Sequence, residues 1–330
     1  KGSCRGFEVR CLHGARPDAS RLEEGALYMG EERPDWVRRE SEERSFGPGG
    51  ETVAGYVGKR SEIPPERIHE GWLTGKAVEF LDSGRDSDRP FFMYLSLDFP
   101  HVGLAPPARF EEMYDLADFP DNPPPETVPG GHREGERFKD IWYNMTPDER
   151  RRSRLRYAAL CTYVDDLFGQ VLHKLETAGE LENTFIIFAA DHGDMLGDRG
   201  RISKYCMYEG SVRVPLIVAG PGVEGAGVVD ERPAELVDVL PTLLDAAGEE
   251  VPEILPGFSL FSDFTRSASF AEMHGRGYEE YQRAPTVMWR SNEWKLILDI
   301  PGPLGSVGGR YDLLQGELYH LTEDPRETRN

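Results

Sequence analysis

One run constrains the fold more than any other: Thr184 to Gly220, TFIIFAADHGDMLGDRGRISKYCMYEGSVRVPLIVAG. It opens with six apolar residues, Phe185 to Ala190. That is the length of a buried strand and too short for a globular helix. The run ends abruptly in Asp191-His192-Gly193-Asp194, three ionisable side chains around a glycine. Ionisable groups at the carboxyl end of a buried strand stand where open α/β sheets place their ligands. A glycine-punctuated loop carrying Lys204 follows, and a second apolar run, Val214 to Ala219, returns to the sheet. Strand, loop and strand therefore deliver a carboxylate, an imidazole and an ammonium to one region.

Asp191 offers a hard oxygen and His192 a borderline nitrogen. A metal binding both is Ca²⁺, Mg²⁺ or Mn²⁺, with the nitrogen shading the choice toward Mn²⁺ or Zn²⁺. The plainer alternative is an Asp that caps a turn beside an exposed His, with Lys204 a solvated lysine. Spacing alone leaves both open.

The phrases AADHGDMLGDRG, Lys204 and YEGSVRVPLIVAGPG resemble the metal and substrate loop of the sulfatase family, within the alkaline phosphatase superfamily. That pattern is a strand ending in S/A-D-H/N-G, then LG(D/E), a lysine, and an (Y/F)E-x-x-x-R-V-P-L-I strand. Its parts stand here in order, with Lys204 thirteen positions after Asp191. His192, in place of Asn, resembles the branch holding choline sulfatases and phosphonate monoester hydrolases. The resemblance implies that Asp191 and His192 hold one divalent metal, with Ca²⁺ first and Mn²⁺ or Mg²⁺ as alternatives. It also implies that Lys204 binds the sulfuryl group.

Elsewhere along the chain, Glu70 to Ser83 has helical spacing through Trp72, Leu73, Ala77, Phe80 and Leu81. Phe91 to Leu97 reads as a second buried strand, followed by Asp98-Phe99-Pro100-His101. Alone, His101 also fits a structural loop position. The stretch PFFMYLSLDFPH resembles the sulfatase phrase whose histidine contacts the ester, so the resemblance makes His101 a substrate-binding and catalytic residue beside Lys204. Residues 115 to 149, dense in Pro, Gly and acids, predict a long surface loop, either a plain insertion or part of a lid. Thr146-Pro147-Asp148-Glu149 predicts a helix start. That helix runs to about Ala178, with Leu155, Ala159, Tyr163, Leu167, Val171 and Leu175 on one face and Gly179 as its stop. Asp165 and Asp166 point about 100° apart on such a helix and do not converge on one ion.

Glu235 to Ala247 predicts another helix. After Ser269 come short strands alone, SFAEM, TVMWRS, WKLILDI and ELYHL, which predict a small antiparallel sheet. The fold class expected is α/β: an alkaline-phosphatase-like, mostly parallel sheet flanked by helices, with Phe91–Leu97, Phe185–Ala190 and Val214–Ala219 as neighbours. Residues 1–264 are read as a partial catalytic domain and 265–330 as a C-terminal antiparallel subdomain. Residues 1 to 60, polar and glycine-rich, read as surface loops.

Lys and Arg number 38 against 59 Asp and Glu, a net charge of −21, which excludes a general nucleic-acid-binding surface. It does not exclude an anionic substrate, because a metal and a lysine reverse the field locally. No apolar run reaches the roughly 18 residues of a membrane-spanning helix. Four cysteines are too few for a disulfide scaffold, although Cys4 and Cys11 could pair, and Cys161 reads as a small buried residue.

The resemblance also implies parts not found here: two adjacent aspartates on a first strand, and a C/S-x-P/A-x-R motif whose Cys or Ser becomes formylglycine, the nucleophile. Cys4 and Cys11 lack that spacing. The expectation is thus an N-terminally truncated piece, inactive alone, of a hydrolase for a small-molecule or carbohydrate sulfate ester. A phosphonate or phosphate ester hydrolase of the same superfamily, and a non-catalytic binding module, are the alternatives.

Overall fold

The computed structural model describes residues 9–10, 27–28, 52–125, 136–225, 227–264, 266–273, 286–299 and 315–330. Most of the predicted N-terminal loops, together with Cys4 and Cys11, lie outside the described residues. Among those described, the helices are α1 (Val53–Val57), α2 (His69–Ser83), α3 (Ala108–Glu111), α4 (Glu136–Tyr143), α5 (Pro147–Thr177), α6 (Glu209–Val212) and α7 (Val239–Ala246). The strands are β1 (Val9–Arg10), β2 (Leu27–Tyr28), β3 (Ile186–Ala189), β4 (Leu216–Ala219), β5 (Ser269–Met273), β6 (Thr286–Arg290), β7 (Trp294–Asp299) and β8 (Gln315–His320). The chain divides into two compact units, Lys1–Phe119 with Arg152–Gly179, and Pro120–Arg151 with Glu180–Asn330.

The first unit is built on α5. A capping box starts this helix: the Thr146 N–H donates to Glu149 Oε2 at 2.7 Å, and the Glu149 N–H donates to Thr146 Oγ1 at 3.3 Å. All six predicted face residues, Leu155 through Leu175, are buried. Gly179 ends the segment at φ +71°, a left-handed turn that glycine enters without steric cost. The α5 face packs with Ile68, Phe99, Leu104 and Phe110 into one core. Helix α2 forms as expected, but its buried face includes Glu70 and Thr74 beside Ala77 and Leu81. Asp166 is ion-paired to Arg109 at 3.1 Å, a structural contact within this unit. Cys161 is exposed, against expectation, because it sits two positions from Tyr163, off the buried face.

Phe91–Leu97 departs from its prediction. It keeps the alternating exposure of a strand, with Phe92 and Tyr94 outward, but pairs with no strand among the described residues. A strand needs a neighbour to receive its backbone hydrogen bonds, and an alternating pattern alone does not supply one.

In the second unit, β3 and β4 are neighbours, as expected, and pair antiparallel, with Ile186 opposite Ala219 and Ala189 opposite Leu216. The reason lies in the connection. Parallel neighbours need a crossover, usually a full helix. Between β3 and β4 the longest helix is the four-residue α6, so the chain turns back along itself. Strands β5 to β8 form the predicted four-stranded antiparallel sheet, in sequence order. Its inner residues Met288, Ile297 and Tyr319 share a core with Met195, Cys206, Met207 and Tyr208 of the organising loop. Residues 136–143, read as loop from proline density, form α4; the stretch ERFKDIWY contains no proline, and Trp142 is fully buried.

Candidate metal and anion site

Strand β3 ends two positions before Asp191, whose side chain is 88% exposed. The Asp191 Oδ1 accepts the His192 backbone N–H at 3.0 Å. His192 Nδ1 lies 2.9 Å from the Gly193 carbonyl oxygen. A carbonyl only accepts, so this contact is a hydrogen bond when Nδ1 carries the proton, and in that neutral tautomer Nε2 presents its lone pair. That Nε2 stands 3.6 Å from Asp191 Oδ2. A divalent ion with bonds of about 2.3–2.6 Å, the Ca²⁺ range, places two donors at right angles roughly 3.3–3.7 Å apart, so the separation of this pair is compatible with one such ion. Among the described residues no group of three or more His, Cys, Asp or Glu gathers as a possible metal site.

Gly193 fastens the tip. Its N–H donates to the Ser211 carbonyl at 2.8 Å, and a Cβ here would stand 2.1 Å from the Gly210 oxygen. Only glycine permits that approach. The following loop is tightly wound: Leu196, Arg199 and Ser203 hold left-handed φ values of 42°, 57° and 64°. Non-glycine residues occupy this region only where the surroundings over-determine it. Here the surroundings are explicit. Asp194 Oδ1 accepts the Leu196 N–H at 2.9 Å and the Ser203 N–H at 3.0 Å. The Met195 N–H donates to the Ser203 carbonyl at 2.9 Å. Lys204, next along the chain, is half-buried, with Nζ 5.6 Å from the Tyr205 ring centroid.

Below the loop lies a seam of buried charge. Lys295 Nζ, fully buried on β7, reaches Met207 O at 3.0 Å, Glu209 Oε1 at 2.6 Å and Glu327 Oε1 at 2.7 Å. The ammonium donates a hydrogen bond to the Met207 carbonyl and pairs by charge with the two carboxylates. Arg290 grips the Glu209 carboxylate with two nitrogens at 2.9 and 3.0 Å. Burial works against the charged form of Glu209, but the hydrogen bond from Arg290 and the charge of Lys295 outweigh it and hold the carboxyl at about 2. The Arg199 guanidinium lies 4.2 Å over the Tyr208 ring, whose hydroxyl donates to Glu317 at 2.9 Å. Burial raises the pKa of the Tyr208 hydroxyl. The seam ties the organising loop to the C-terminal sheet.

The structure thus places Asp191 and His192 side by side, and ties the Ser203 backbone, one residue before Lys204, to Asp194. His101 belongs to the other unit. There it is exposed, with its N–H donating to Asp98 O at 2.9 Å and Nδ1 3.4 Å from Val102 O. A separate cavity of about 220 Å³, lined by Asn122, Pro125, Asp198, Arg199, Arg326 and Thr328, does not include the strand tip. Sequence reasoning assigned no role to Glu209, Lys295 or Glu327. Lys295 did carry a signal: it is in phase with the buried Ile297 on one strand.

Comparison with known proteins bears on what this arrangement is. The sulfatase family model matches residues 34–249, and the model described as N-sulphoglucosamine sulphohydrolase, C-terminal, matches 197–330. The chain is 35% identical over 204 residues to an arylsulfatase of Clostridium perfringens, covering 59% of this chain and 42% of that protein. It is 31% identical over 250 residues to the choline-sulfatase of Rhizobium meliloti, covering 73% and 48%. The chain spans about half the length of the curated relatives it matches. Among solved structures it resembles the phosphonate monoester hydrolase of Agrobacterium radiobacter, with TM-score 0.68, 21% identity and coverage of 96% of this chain and 70% of that one. The structure of a protein solved with D-glucosamine-2-N,6-O-disulfate gives TM-score 0.62 and 23% identity, over 80% and 65% of the two chains. These likenesses establish the alkaline-phosphatase-like α/β class. With a family model matched over more than half its length, this chain belongs to the sulfatase family.

Proposed function

We propose that this chain forms part of a metal-dependent sulfuric ester hydrolase, in which Asp191 and His192 hold one side of a divalent metal, with Ca²⁺ first and Mn²⁺ or Mg²⁺ as alternatives. The observation that carries the reading is the Nε2 to Oδ2 separation of 3.6 Å at the strand tip, supported by the Asp194 bridge to the Ser203 amide just before Lys204. Sulfatases use a metal and a formylglycine; the metal, when bound, polarises the sulfuryl oxygens and lowers the nucleophile's pKa. Transfer of a sulfuryl group concentrates negative charge on several oxygens, so preorganised positive charge is the main need. Lys204 meets one of those oxygens, and His101 binds the ester and protonates the departing alcohol oxygen. The substrate is a small-molecule or carbohydrate sulfate ester. Residues 265–330 act as the C-terminal subdomain of the same enzyme. The nucleophile and the remaining metal ligands come from a segment preceding this chain.

A second reading, a phosphonate or phosphate ester hydrolase, is favoured by 33% identity over 239 residues to a multifunctional alkaline phosphatase superfamily protein of Trinickia caryophylli. One assay separates the readings. A protein carrying this chain together with its upstream segment is given an aryl sulfate, a phosphonate monoester and a phosphate diester, each with and without chelator. Chelator-sensitive turnover fastest on the sulfate supports the first reading, and faster turnover on a phosphorus ester replaces it with the second. Residues 1–330 alone are expected to turn over none of them; chelator-sensitive aryl sulfate hydrolysis by the piece alone would remove the claim that an upstream segment is required.

A further inference from the structure

The loop between the strand tip and Lys204 is the least relaxed stretch of backbone described, with three non-glycine residues at left-handed φ within eight positions. Such a conformation persists only if something fastens its two ends. One oxygen does much of that work. Asp194 Oδ1 accepts the Leu196 N–H at 2.9 Å, closing a turn at the loop's start, and the Ser203 N–H at 3.0 Å, closing the loop at its end. Asp194 stands two positions after His192, and Ser203 immediately before Lys204.

We propose that Asp194 is a positioning residue, whose single carboxylate oxygen, shared by the Leu196 and Ser203 amides, sets the distance between the Asp191–His192 pair and Lys204. The inference rests on the roles proposed above for those three residues. A carboxylate suits this position because a charged acceptor strengthens both hydrogen bonds, and because the short aspartate reaches backbone two residues on. Asn retains an acceptor oxygen in the same place, whereas Ala removes it. Acceptor geometry and negative charge can therefore be separated.

The test uses Asp194→Ala and Asp194→Asn in a protein carrying the chain with its upstream segment. Hydrogen exchange by mass spectrometry is followed in peptides spanning residues 194–204, alongside kcat, KM and metal affinity. Asp194→Ala should accelerate exchange in those peptides by at least about tenfold, since two amides lose their acceptor. It should lower kcat by about 10²-fold, the scale for a group displaced by about 1 Å, with metal affinity within a few-fold. Asp194→Asn should keep both exchange and kcat within a few-fold of the unaltered protein. Unchanged exchange in Asp194→Ala would overturn the clamp. Accelerated exchange with kcat intact would overturn the positioning role, as would Asn behaving like Ala. Lack of metal-dependent hydrolysis by the unaltered protein sinks the assigned reaction and the positioning role with it. The exchange data then still report whether Asp194 closes the loop, so the two failures are told apart.

Discussion

Two carboxylates eighteen positions apart on the organising stretch, Asp191 and Glu209, stand in opposite surroundings. Asp191 is 88% exposed at a strand tip, whereas Glu209 is 16% exposed and held by Arg290 and Lys295. The exposed group has lone pairs to offer a ligand; the buried one has its acceptor capacity occupied by the protein. Removing the first should therefore change what the protein binds, and disturbing the second should change whether the loop stays in place. On the proposed reading, the charge that stabilises and the charge that meets the metal are different residues on one short stretch.

The largest effect expected on that division is on stability. Lys295→Met keeps most of the side-chain volume and deletes the ammonium, leaving Glu209 and Glu327 without the cation they share. Breaking a buried ion pair from one side costs about 3–5 kcal/mol. Denaturant unfolding of the variant should show a loss of that size. A loss below about 1 kcal/mol would mean that the seam does not hold the loop, and the contrast with Asp191 would fail.

At the exposed end the effect should be on turnover and hardly on stability. In a protein with the upstream segment, Lys204→Ala should lower turnover roughly 10²–10³-fold, the scale for one preorganised donor, with no repair by added metal. Asp191→Ala should also cripple hydrolysis, but excess metal should recover part of it, since a lost ligand lowers affinity. Stability should change by no more than about 0.5 kcal/mol for Asp191→Ala, because its side chain is largely exposed. Turnover against metal concentration for both variants checks this. A Lys204→Ala protein with near-normal turnover would sever the loop from the chemistry.

The same contrast explains what could be read from the sequence. Helix α5 was legible to its cap and stop because a 3.6-residue repeat, a capping box and a terminal glycine all agree there. The C-terminal strands were legible from their alternation. Asp191, His192, Lys204 and His101 could be named because their order along the chain matches a family phrase, and the geometry then joined Asp191 to His192. The antiparallel pairing of β3 with β4 was not legible, since an apolar run looks the same in either direction. Helix α4 was hidden by averaging ERFKDIWY with the prolines before it. The buried seam was hidden because Glu209, Arg290, Lys295 and Glu327 are far apart in sequence, and a charged residue reads as solvated until its partner is placed.

A smaller effect concerns acid. The Glu209 carboxyl is held at about 2, below its usual value of 4.5, so its contribution is present above about pH 4.5 and is lost as pH falls toward 2. That depression corresponds to at most about 3 kcal/mol. Glu327 has the opposite sign: burial raises its pKa, so protonation favours the folded form, and its contribution is lost as pH rises through the raised value. Unfolding free energy measured from pH 6 to pH 2.5 should therefore fall mainly below about pH 4.5. Glu209→Gln should flatten that acid limb. An unchanged limb would show that the Glu209 pairing does not contribute to acid stability.

The smallest effect expected is on α5. Asp165 and Asp166 form an acidic pair as conspicuous in the sequence as Asp191 and Asp194, yet Asp166 accepts from Arg109 at 3.1 Å and from Gln170 at 3.0 Å on a solvated helix face. Its side chain is 39% exposed and that of Arg109 is 58% exposed, so solvent screens the pair and its worth is at most about 1 kcal/mol. Asp166→Asn keeps an acceptor oxygen for Gln170 and removes only the charge facing Arg109. Unfolding should shift by less than about 1 kcal/mol, and turnover of the complete protein should stay within a few-fold. Asp165→Asn, on the exposed side of the same turn, should do less still. A tenfold loss of turnover in either variant would mean that α5 contributes to the chemistry as well as to the core. The line drawn between carboxylates that hold the fold and carboxylates that meet a ligand would then have to be redrawn on this helix.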